Sequence, residues 1–302
     1  MKAPTGMTAF SIVWFGQIVS LLGSAMVGFA IPIYVFTLTG RATDLALLGV
    51  AFMVPLLLTS TVAGAVVDRN NLKLMMMLSD LGAGVSSVIL LILVLTGNFS
   101  ILVLYPLQMI NGAFQSFQWP AYSTAISTML PKAHYGRANG MLSLAESGSG
   151  IFAPVLGAAM LANFGLEGIL IIDIITFSFA VLTLLIVKIP QPVKSEEGEK
   201  AKGNLLSEAL YGLRFILSRP SLLGLQLVFL FGNFLAAIGA TLNVPMVLSR
   251  TNNNEQIMGF VMSAGAVGGV LGGILMSTWG GPKKRVNGVL FGWMLASIFA
   301  IM

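Results

Sequence analysis

The chain contains 302 residues, of which 56% are hydrophobic and only 9% are charged, and its formal net charge is +5. Because soluble domains carry about 25% charged residues, this composition excludes an ordinary water-soluble globule and predicts a protein embedded in a membrane. The absence of cysteine excludes disulfides, thiolate metal sites and cysteine nucleophiles, and we expect neither a metal nor a cofactor.

The apolar runs are about 20 residues or longer and do not alternate, which predicts transmembrane helices rather than barrel strands. We predict eight complete spans and part of a ninth. The ninth begins near Val286 and reaches Met302 without a closing polar flank, so we expect a chain that is truncated at its C-terminus. The complete spans cover residues 8–38, 45–66, 74–96, 99–123, 138–164, 168–188, 221–249 and 256–279.

The distribution of lysine and arginine predicts the orientation of these spans. With the N-terminus in the cytoplasm, 14 of the 16 basic residues fall on the cytoplasmic side, and only Arg41 and Arg250 fall outside. Such an excess is the usual signal for cytoplasmic loops. We therefore predict a multi-pass protein of the cell membrane with a cytoplasmic N-terminus. Since the basic residues lie between apolar runs and not along a soluble face, we expect the lipid bilayer as partner and no nucleic acid.

Two halves are predicted on either side of a polar segment. Residues 1–188 form a bundle of six transmembrane helices, and residues 189–220 form a cytoplasmic linker in which 205–217 is an amphipathic helix. Residues 221–302 form an incomplete second bundle with spans 7, 8 and part of 9. Pro32 and Pro245 occupy similar places in spans 1 and 7, 213 residues apart. This offset predicts a parallel repeat of six plus six spans, of which about nine are present.

The turn between spans 2 and 3 carries a family resemblance. It reads GAVVDRNNLK from Gly64 to Lys73 and resembles the major facilitator signature G-x-x-x-D-R-x-G-R-K, with matches at Gly64, Asp68, Arg69 and Lys73. The resemblance implies the all-α major facilitator fold and a gate in which the aspartate caps or pairs with neighbouring helix ends. Leu72 replaces a basic residue of the signature, so we expect an incomplete charge network.

A second resemblance lies in span 5. The stretch from Ser149 to Ala158 is similar to the antiporter motif G-x-x-x-G-P-x-x-G-G, with matches at Pro154 and Gly157. Its small residues allow close helix approach. Together with the pair Asn139-Gly140, this stretch resembles the macrolide-efflux and multidrug-efflux branch of the superfamily.

Span 4 contains a stripe of amide side chains at spacings of three, four and three residues, which places them on one helix face. Because amides facing lipid are costly, they line a central cavity or form hydrogen bonds between helices. The resemblance implies that spans 1, 4 and 7 surround that cavity, and spans 1 and 7 also carry polar residues. The cavity candidates are Gln17, Ser24, Gln108, Asn111, Gln115, Gln118, Gln226 and Asn233.

Three carboxylates lie within predicted spans, where ionisable residues are functional candidates. Glu146 in span 5 is the first candidate for proton coupling, and a buried carboxyl bonded to hydroxyls is the alternative. Asp80 in span 3 is the second, unless it supports the gate by pairing with a basic loop residue. Asp173 near the outer end of span 6 is the third, unless it caps a helix or lies at the interface.

These features favour a monomeric secondary transporter that exports lipophilic, often cationic drugs in exchange for protons. No ATP-binding G-x-x-x-x-G-K-[ST] loop is present, so an ion gradient must supply the energy. The alternative within the same fold is transport of a sugar, peptide, siderophore or lysolipid. An enzyme is not expected, because the one histidine cannot form the metalloprotease motif H-E-x-x-H. A receptor without transport activity is disfavoured by the polar stripe.

Overall fold

The structure is a computed structural model that describes residues 5–191, 216–279 and 294. Within these residues five helical stretches are long and apolar enough to cross a membrane, and one of them, residues 132–186, contains two predicted spans. The predicted linker from residue 192, most of the amphipathic helix and nearly all of the ninth span lie outside the described residues. The described α-helices are α1 (Gly6–Thr39), α2 (Ala42–Arg69), α3 (Leu72–Leu95), α4 (Ile101–Met129), α5 (Tyr135–Ile186), α6 (Pro220–Arg250) and α7 (Glu255–Trp279).

Helix α5 contains two spans that meet at a single residue. Gly165 has φ 66° and ψ −172°, a backbone region that is essentially restricted to glycine. The first limb, residues 135–164, runs parallel to α1, since Trp14 bonds to Met141 and Phe29 packs on Gly157. The second limb, residues 166–186, runs antiparallel to α1. The break therefore reverses the chain and confirms the predicted division into spans 5 and 6.

Side chains and turn geometry fix several other helix ends. Gly40 ends α1 in the left-handed conformation with φ 64°, as C-terminal caps require. The side chain of Asn71 accepts a hydrogen bond from the Leu74 amide and begins α3. Between α6 and α7, Asn252 and Asn253 both have positive φ, a conformation that asparagine tolerates better than most residues.

Helix α1 lies at the centre of the described bundle, flanked by both limbs of α5. The Thr183 side chain fills the space that a Cβ of Gly16 would need, and Thr176 does the same at Gly23. Such close approach of small residues compensates for the lack of a hydrophobic driving force between helices in lipid. Because both limbs of α5 pack on α1, the helix has little freedom to move alone.

The remaining helices of the first half form two apolar clusters along α1. One cluster surrounds Phe10 and Met76 near the end of the bundle where α1 begins, which we call the inner end, following the predicted orientation. The other surrounds Met26 and Leu170 toward the opposite, outer end. Helices α2 and α4 approach so closely at Gly112 that a Cβ there would overlap the Phe52 carbonyl.

Helices α6 and α7 both contact the first half of the protein. Val247 and Leu248 of α6 pack with Phe29 and Ile33 near the outer end of α1. Along α7, the Ser263 hydroxyl donates to the Ile151 carbonyl at 2.7 Å. Gly259 lies against the Pro154 carbonyl, so the small residues of the span 5 motif form the surface on which α7 packs.

Candidate functional site: a polar cavity near the inner end

A cavity of about 160 Å³ lies between α1, α4 and the first limb of α5. It sits in the inner half of the bundle, because its residues come from the first half of α1, the last half of α4 and the start of α5. Amide, aromatic and aliphatic side chains share its surface with a single carboxylate. The lining residues are Trp14, Gln17, Ile18, Leu21, Gln115, Gln118, Trp119, Tyr122, Leu142, Ala145 and Glu146.

Asp80 lies directly behind two of the amides that line the cavity. Gln17 Nε2 of α1 donates to Asp80 Oδ2 at 2.8 Å, and Gln118 Nε2 of α4 donates to Asp80 Oδ1 at 3.2 Å. Gln118 Nε2 also donates to Gln17 Oε1 at 2.7 Å. The three side chains, which we call the Asp80 cluster, join α1, α3 and α4. The prediction that Asp80 pairs with a basic loop residue is wrong for the described loop, because its partners are amides and the span 2–3 loop lies two helical turns away.

Two atoms beside this cluster are buried without a hydrogen-bond partner among the described residues. They are the Tyr122 hydroxyl and Gln118 Oε1, and both side chains line the cavity. Buried polar atoms normally find a partner. A small shift of either side chain would present an unpaired polar atom to a ligand in the cavity without breaking a hydrogen bond of that atom within the described part of the protein.

Among the described residues that line the cavity, Glu146 alone carries an acidic group. The prediction of a buried carboxyl bonded to hydroxyls is wrong, because the side chain is exposed and forms no hydrogen bond with another described residue. The Trp14 indole is fixed on the same wall by a 2.9 Å hydrogen bond to the Met141 carbonyl. An exposed carboxylate beside fixed aromatic rings is suited to a positively charged ligand.

The amide stripe of α4 divides into two parts. Gln115 and Gln118 line the cavity, whereas Asn111 Nδ2 donates to Gln108 Oε1 at 3.2 Å closer to the outer end. On α6, Gln226 and Asn233 are exposed and do not reach this cavity, and Asn233 bonds to the Phe229 carbonyl of its own helix. The structure therefore brings Gln17, Gln115 and Gln118 together but leaves the other candidates of spans 1 and 4, and both candidates of span 7, apart.

Asp173 forms a second buried cluster in the outer half of the bundle. Its side chain is 2% exposed. Ser24 Oγ of α1 donates to Asp173 Oδ1 at 2.9 Å, and Ser87 Oγ of α3 donates to Oδ2 at 2.6 Å. Ser24, a cavity candidate, is not among the residues that line the described cavity, and its hydroxyl faces Asp173.

The signature turn lies between α2 and α3 and forms hydrogen bonds with the end of the second limb of α5. Lys73 Nζ donates to the Leu185 carbonyl at 2.8 Å and to the Val187 carbonyl at 3.1 Å. These are carbonyls at a helix C-terminus, where a positive charge is favourable. Asp68 and Arg69 are exposed at the end of α2 without an ion pair in the described residues, so the gate contact of the aspartate stays a prediction, as does that of Gly64.

The cavity residues missing from the sequence candidates include two aromatic residues of α4. Tyr122 follows Gln118 by four residues, and Trp119 follows Gln115 by four. Both therefore continue the helical spacing of the amide stripe by one turn. Both residues can be identified from the sequence when the stripe is continued by one helical turn, from the amides to these aromatic side chains.

Comparison with known proteins agrees with the family resemblance of the signature turn. The family model of the Major Facilitator Superfamily matches residues 13–302. Macrolide efflux protein A of Streptococcus pyogenes is 24% identical over 280 residues, which is 92% of this chain and 68% of that protein. The multidrug efflux pump Tap of Mycolicibacterium fortuitum is 27% identical over 276 residues, which is 87% of this chain and 65% of that protein.

A solved structure shows the same fold. The crystal structure of a bacterial homolog of the human lysosomal transporter Spinster, in an inward-facing and unoccupied conformation, matches with a TM-score of 0.63. The sequence identity is 16%, and the match covers 90% of this chain and 62% of that chain. The chain thus spans about two-thirds of the length of the proteins that it resembles.

Proposed function

Because this chain belongs to the major facilitator superfamily, we propose that it is a secondary transporter that exports lipophilic, positively charged drugs, macrolide-like amines among them, in exchange for protons. The family match and the long apolar helices make it a multi-pass membrane transporter of small solutes. What we propose beyond this is the class of substrate, the direction of transport and the exchange of substrate for protons. A single copy contains the whole cavity described above, which favours a monomer.

The chemistry of the cavity wall supports a cationic substrate. Glu146 supplies one negative charge, and the rings of Trp14 and Trp119 supply faces that attract cations. Such contacts are worth about 0.5–2 kcal/mol each, and more when water is excluded. No lysine or arginine lines the described cavity, so an anionic substrate would find no partner there. This lining is the observation that carries the proposal.

The size of the cavity indicates how such a substrate would sit. Pockets for drug-sized molecules measure about 300–1,000 Å³, whereas this cavity measures about 160 Å³. It can therefore hold the charged end of a drug, with the rest extending away from α1 and α4. Gln115 and the Tyr122 hydroxyl would supply hydrogen bonds to polar atoms of that end.

Carboxylates at the cavity also supply a means of coupling to protons. A cation and a proton both neutralise Glu146, so binding of one disfavours binding of the other. Asp80 adds a second carboxyl within the same wall, connected to the cavity through Gln17 and Gln118. Competition at these groups converts an inward proton gradient into outward drug movement when the two binding states face opposite sides of the membrane.

Ethidium export from proteoliposomes tests this proposal. The protein is reconstituted in vesicles, a pH gradient is imposed, and ethidium movement is followed by fluorescence. We expect Glu146→Gln to weaken ethidium binding by about tenfold, or roughly 1.4 kcal/mol, and to abolish gradient-driven movement. Glu167→Gln is the matched control, because Glu167 lies at the Gly165 turn and away from the cavity. Unchanged export by the Glu146 variant would contradict the assigned role.

Neutral and anionic solutes provide the comparison that separates the alternatives. A sugar is uncharged, a catechol siderophore is neutral or anionic, and a zwitterionic peptide or lysolipid carries no net positive charge for Glu146 to attract. Export of one of these by both the wild type and Glu146→Gln, without ethidium export, would replace the cationic proposal with the alternative.

A further inference from the structure

Asp173 is a buried carboxylate that the cavity does not use. Both of its oxygens accept hydrogen bonds from serine hydroxyls, one on α1 and one on α3. Neither partner carries a positive charge, and no ion pair neutralises Asp173 within the described residues. A carboxylate that is 2% exposed and lacks a cation is costly to keep ionised.

The Asp173 cluster is in register with the Asp80 cluster. On α1, Gln17 and Ser24 are seven residues apart, and on α3, Asp80 and Ser87 are also seven residues apart. Seven residues are two helical turns, so each pair lies on one face and spans about 10 Å. Ser20 is buried on the same face of α1, between Gln17 and Ser24. Polar residues of α1 and α3 therefore recur on these faces at both levels, and the cluster around Asp173 lies two helical turns outward from the Asp80 cluster.

We infer that Asp173 is a second proton-binding site of the transport cycle, two helical turns outward from the Asp80 cluster. The inference rests on the proposed function, because only a cycle of proton uptake and release gives the site repeated use. It assigns different tasks to the two sites. The carboxylates at the cavity exchange proton and substrate, and Asp173 changes the contacts among α1, α3 and the second limb of α5.

Protonation of Asp173 requires the reversal of one hydrogen bond. In the ionised form both serine hydroxyls donate to the carboxylate. When a proton joins one carboxyl oxygen, that oxygen becomes a donor, and the facing serine oxygen must accept. The serine proton then turns to a backbone carbonyl of its own helix, as the hydroxyls of Ser86 and Thr183 already do with Gly82 and Ala180. Apart from the added proton, no atom needs to enter or leave the Asp173 site.

The residues around Asp173 and Asp80 limit which other groups nearby can bind or release a proton. Asp173 faces Ser24 from α1 and Ser87 from α3, and Thr176 of its own limb bonds to the Asp173 carbonyl. The Asp80 side faces the amides of Gln17 and Gln118, with Tyr122 of α4 as the neighbouring titratable group. Among the described residues no histidine, lysine or arginine bonds to either carboxyl.

Infrared difference spectroscopy measures proton uptake at Asp173 directly. The carbonyl band of protonated carboxylic acids is recorded across a pH titration of the purified protein, without substrate. We expect Asp173→Asn to remove one band, and Ser87→Ala to shift that band because the acid loses a hydrogen-bond partner. Asp80→Asn should leave this band in place. Ser178→Ala is the matched control, because Ser178 lies on the same limb, is exposed and bonds only to its own helix. A spectrum of Asp173→Asn identical to that of the wild type would overturn the inference.

Transport in two modes then separates this inference from the proposed function. We expect Asp173→Asn to lose ethidium movement driven by a pH gradient by at least tenfold, yet to retain ethidium exchange between equal pH values. Gradient-driven movement equal to that of the wild type would overturn the coupling role. If the wild type moves no ethidium in either mode, the proposed function fails, and the infrared band still decides whether Asp173 binds a proton.

Discussion

Gln17 and Asp80 are joined by a 2.8 Å hydrogen bond between α1 and α3, although 63 residues separate them in the chain. Gln118 of α4 bonds to both partners, so three helices meet at one buried polar cluster. This cluster forms part of the cavity wall and also holds the first half of the protein together. Changes to it should therefore affect stability and transport in distinguishable ways.

Gln17→Ala should destabilise the protein, since the variant leaves one oxygen of Asp80 without its donor. Loss of one partner of a buried polar group costs about 1 kcal/mol in membrane proteins. Thermal unfolding in detergent, followed by tryptophan fluorescence, would show a lower midpoint. Gln226→Ala provides the control, because Gln226 is exposed on α6. Equal midpoints for the two variants would mean that the Asp80 cluster does not stabilise the fold.

Tyr122→Phe is expected to separate binding from stability. The hydroxyl bonds to no described residue, so its removal should leave the unfolding midpoint unchanged or raise it. A substrate that accepts a hydrogen bond from Tyr122 would bind about five- to tenfold more weakly, corresponding to roughly 1 kcal/mol. Titration of a macrolide against tryptophan fluorescence measures the affinity. A lower midpoint with unchanged affinity would show that the hydroxyl has an internal role.

Lys73→Met should weaken the contact between α3 and the end of the second limb of α5. The ammonium group bonds to two terminal carbonyls, and such helix-end contacts contribute about 0.3–1 kcal/mol. Hydrogen exchange of residues 183–189, measured by mass spectrometry, should become faster. Arg69→Met removes the same charge from an exposed position nearby. The prediction fails if both variants exchange equally fast.

Gly165→Ala should disturb the reversal between the two limbs of α5. The observed φ and ψ are strained for any residue with a Cβ, at a cost of about 1–3 kcal/mol. We expect a lower unfolding midpoint and a lower yield of folded protein. Gly28→Ala is the comparison, because Gly28 is helical and a Cβ there meets no atom within 4 Å. Equal yields from the two variants would argue against a strained turn.

Gly259→Val should separate α7 from the first half of the protein. A Cβ at this position would lie 2.7 Å from the Pro154 carbonyl, and the backbone cannot yield easily. Ethidium binding at the cavity should persist, since α7 does not line it, whereas ethidium export should be lost. Gly265→Val is the control at an open position of α7. Export by Gly259→Val at the wild-type rate would show that this contact is dispensable.

The helices and their order could be predicted from the sequence because lipid imposes one simple rule, that backbone polar groups bond within their own segment. Length and hydropathy therefore defined the spans, and the break at Gly165 fell where spans 5 and 6 were divided. Which helices pack against each other was harder to predict. The close approach of α1 to the second limb depends on Gly16 meeting Thr183, and nothing in either local sequence specifies that partner.

The cavity could be predicted only in part. The spacing of Gln115 and Gln118 indicated the correct face of α4, because helical periodicity applies to any side chain. The observed partners of Ser24 and Asp80 were not predicted, since a small polar residue in a span can face either a cavity or a packed neighbour. Only tertiary contacts distinguish these cases, as they do for the exposed carboxyl of Glu146.

The central position of α1 also has a consequence for how the protein is made. Its partners Met141 and Asp173 lie 127 and 149 residues downstream of Trp14 and Ser24. At about 5–20 residues per second, the ribosome needs roughly 7 to 30 seconds to synthesise the longer interval. During that time the glycine and serine face of α1 has no native neighbour in the nascent chain. Lipid or another membrane protein therefore covers this face until spans 5 and 6 arrive.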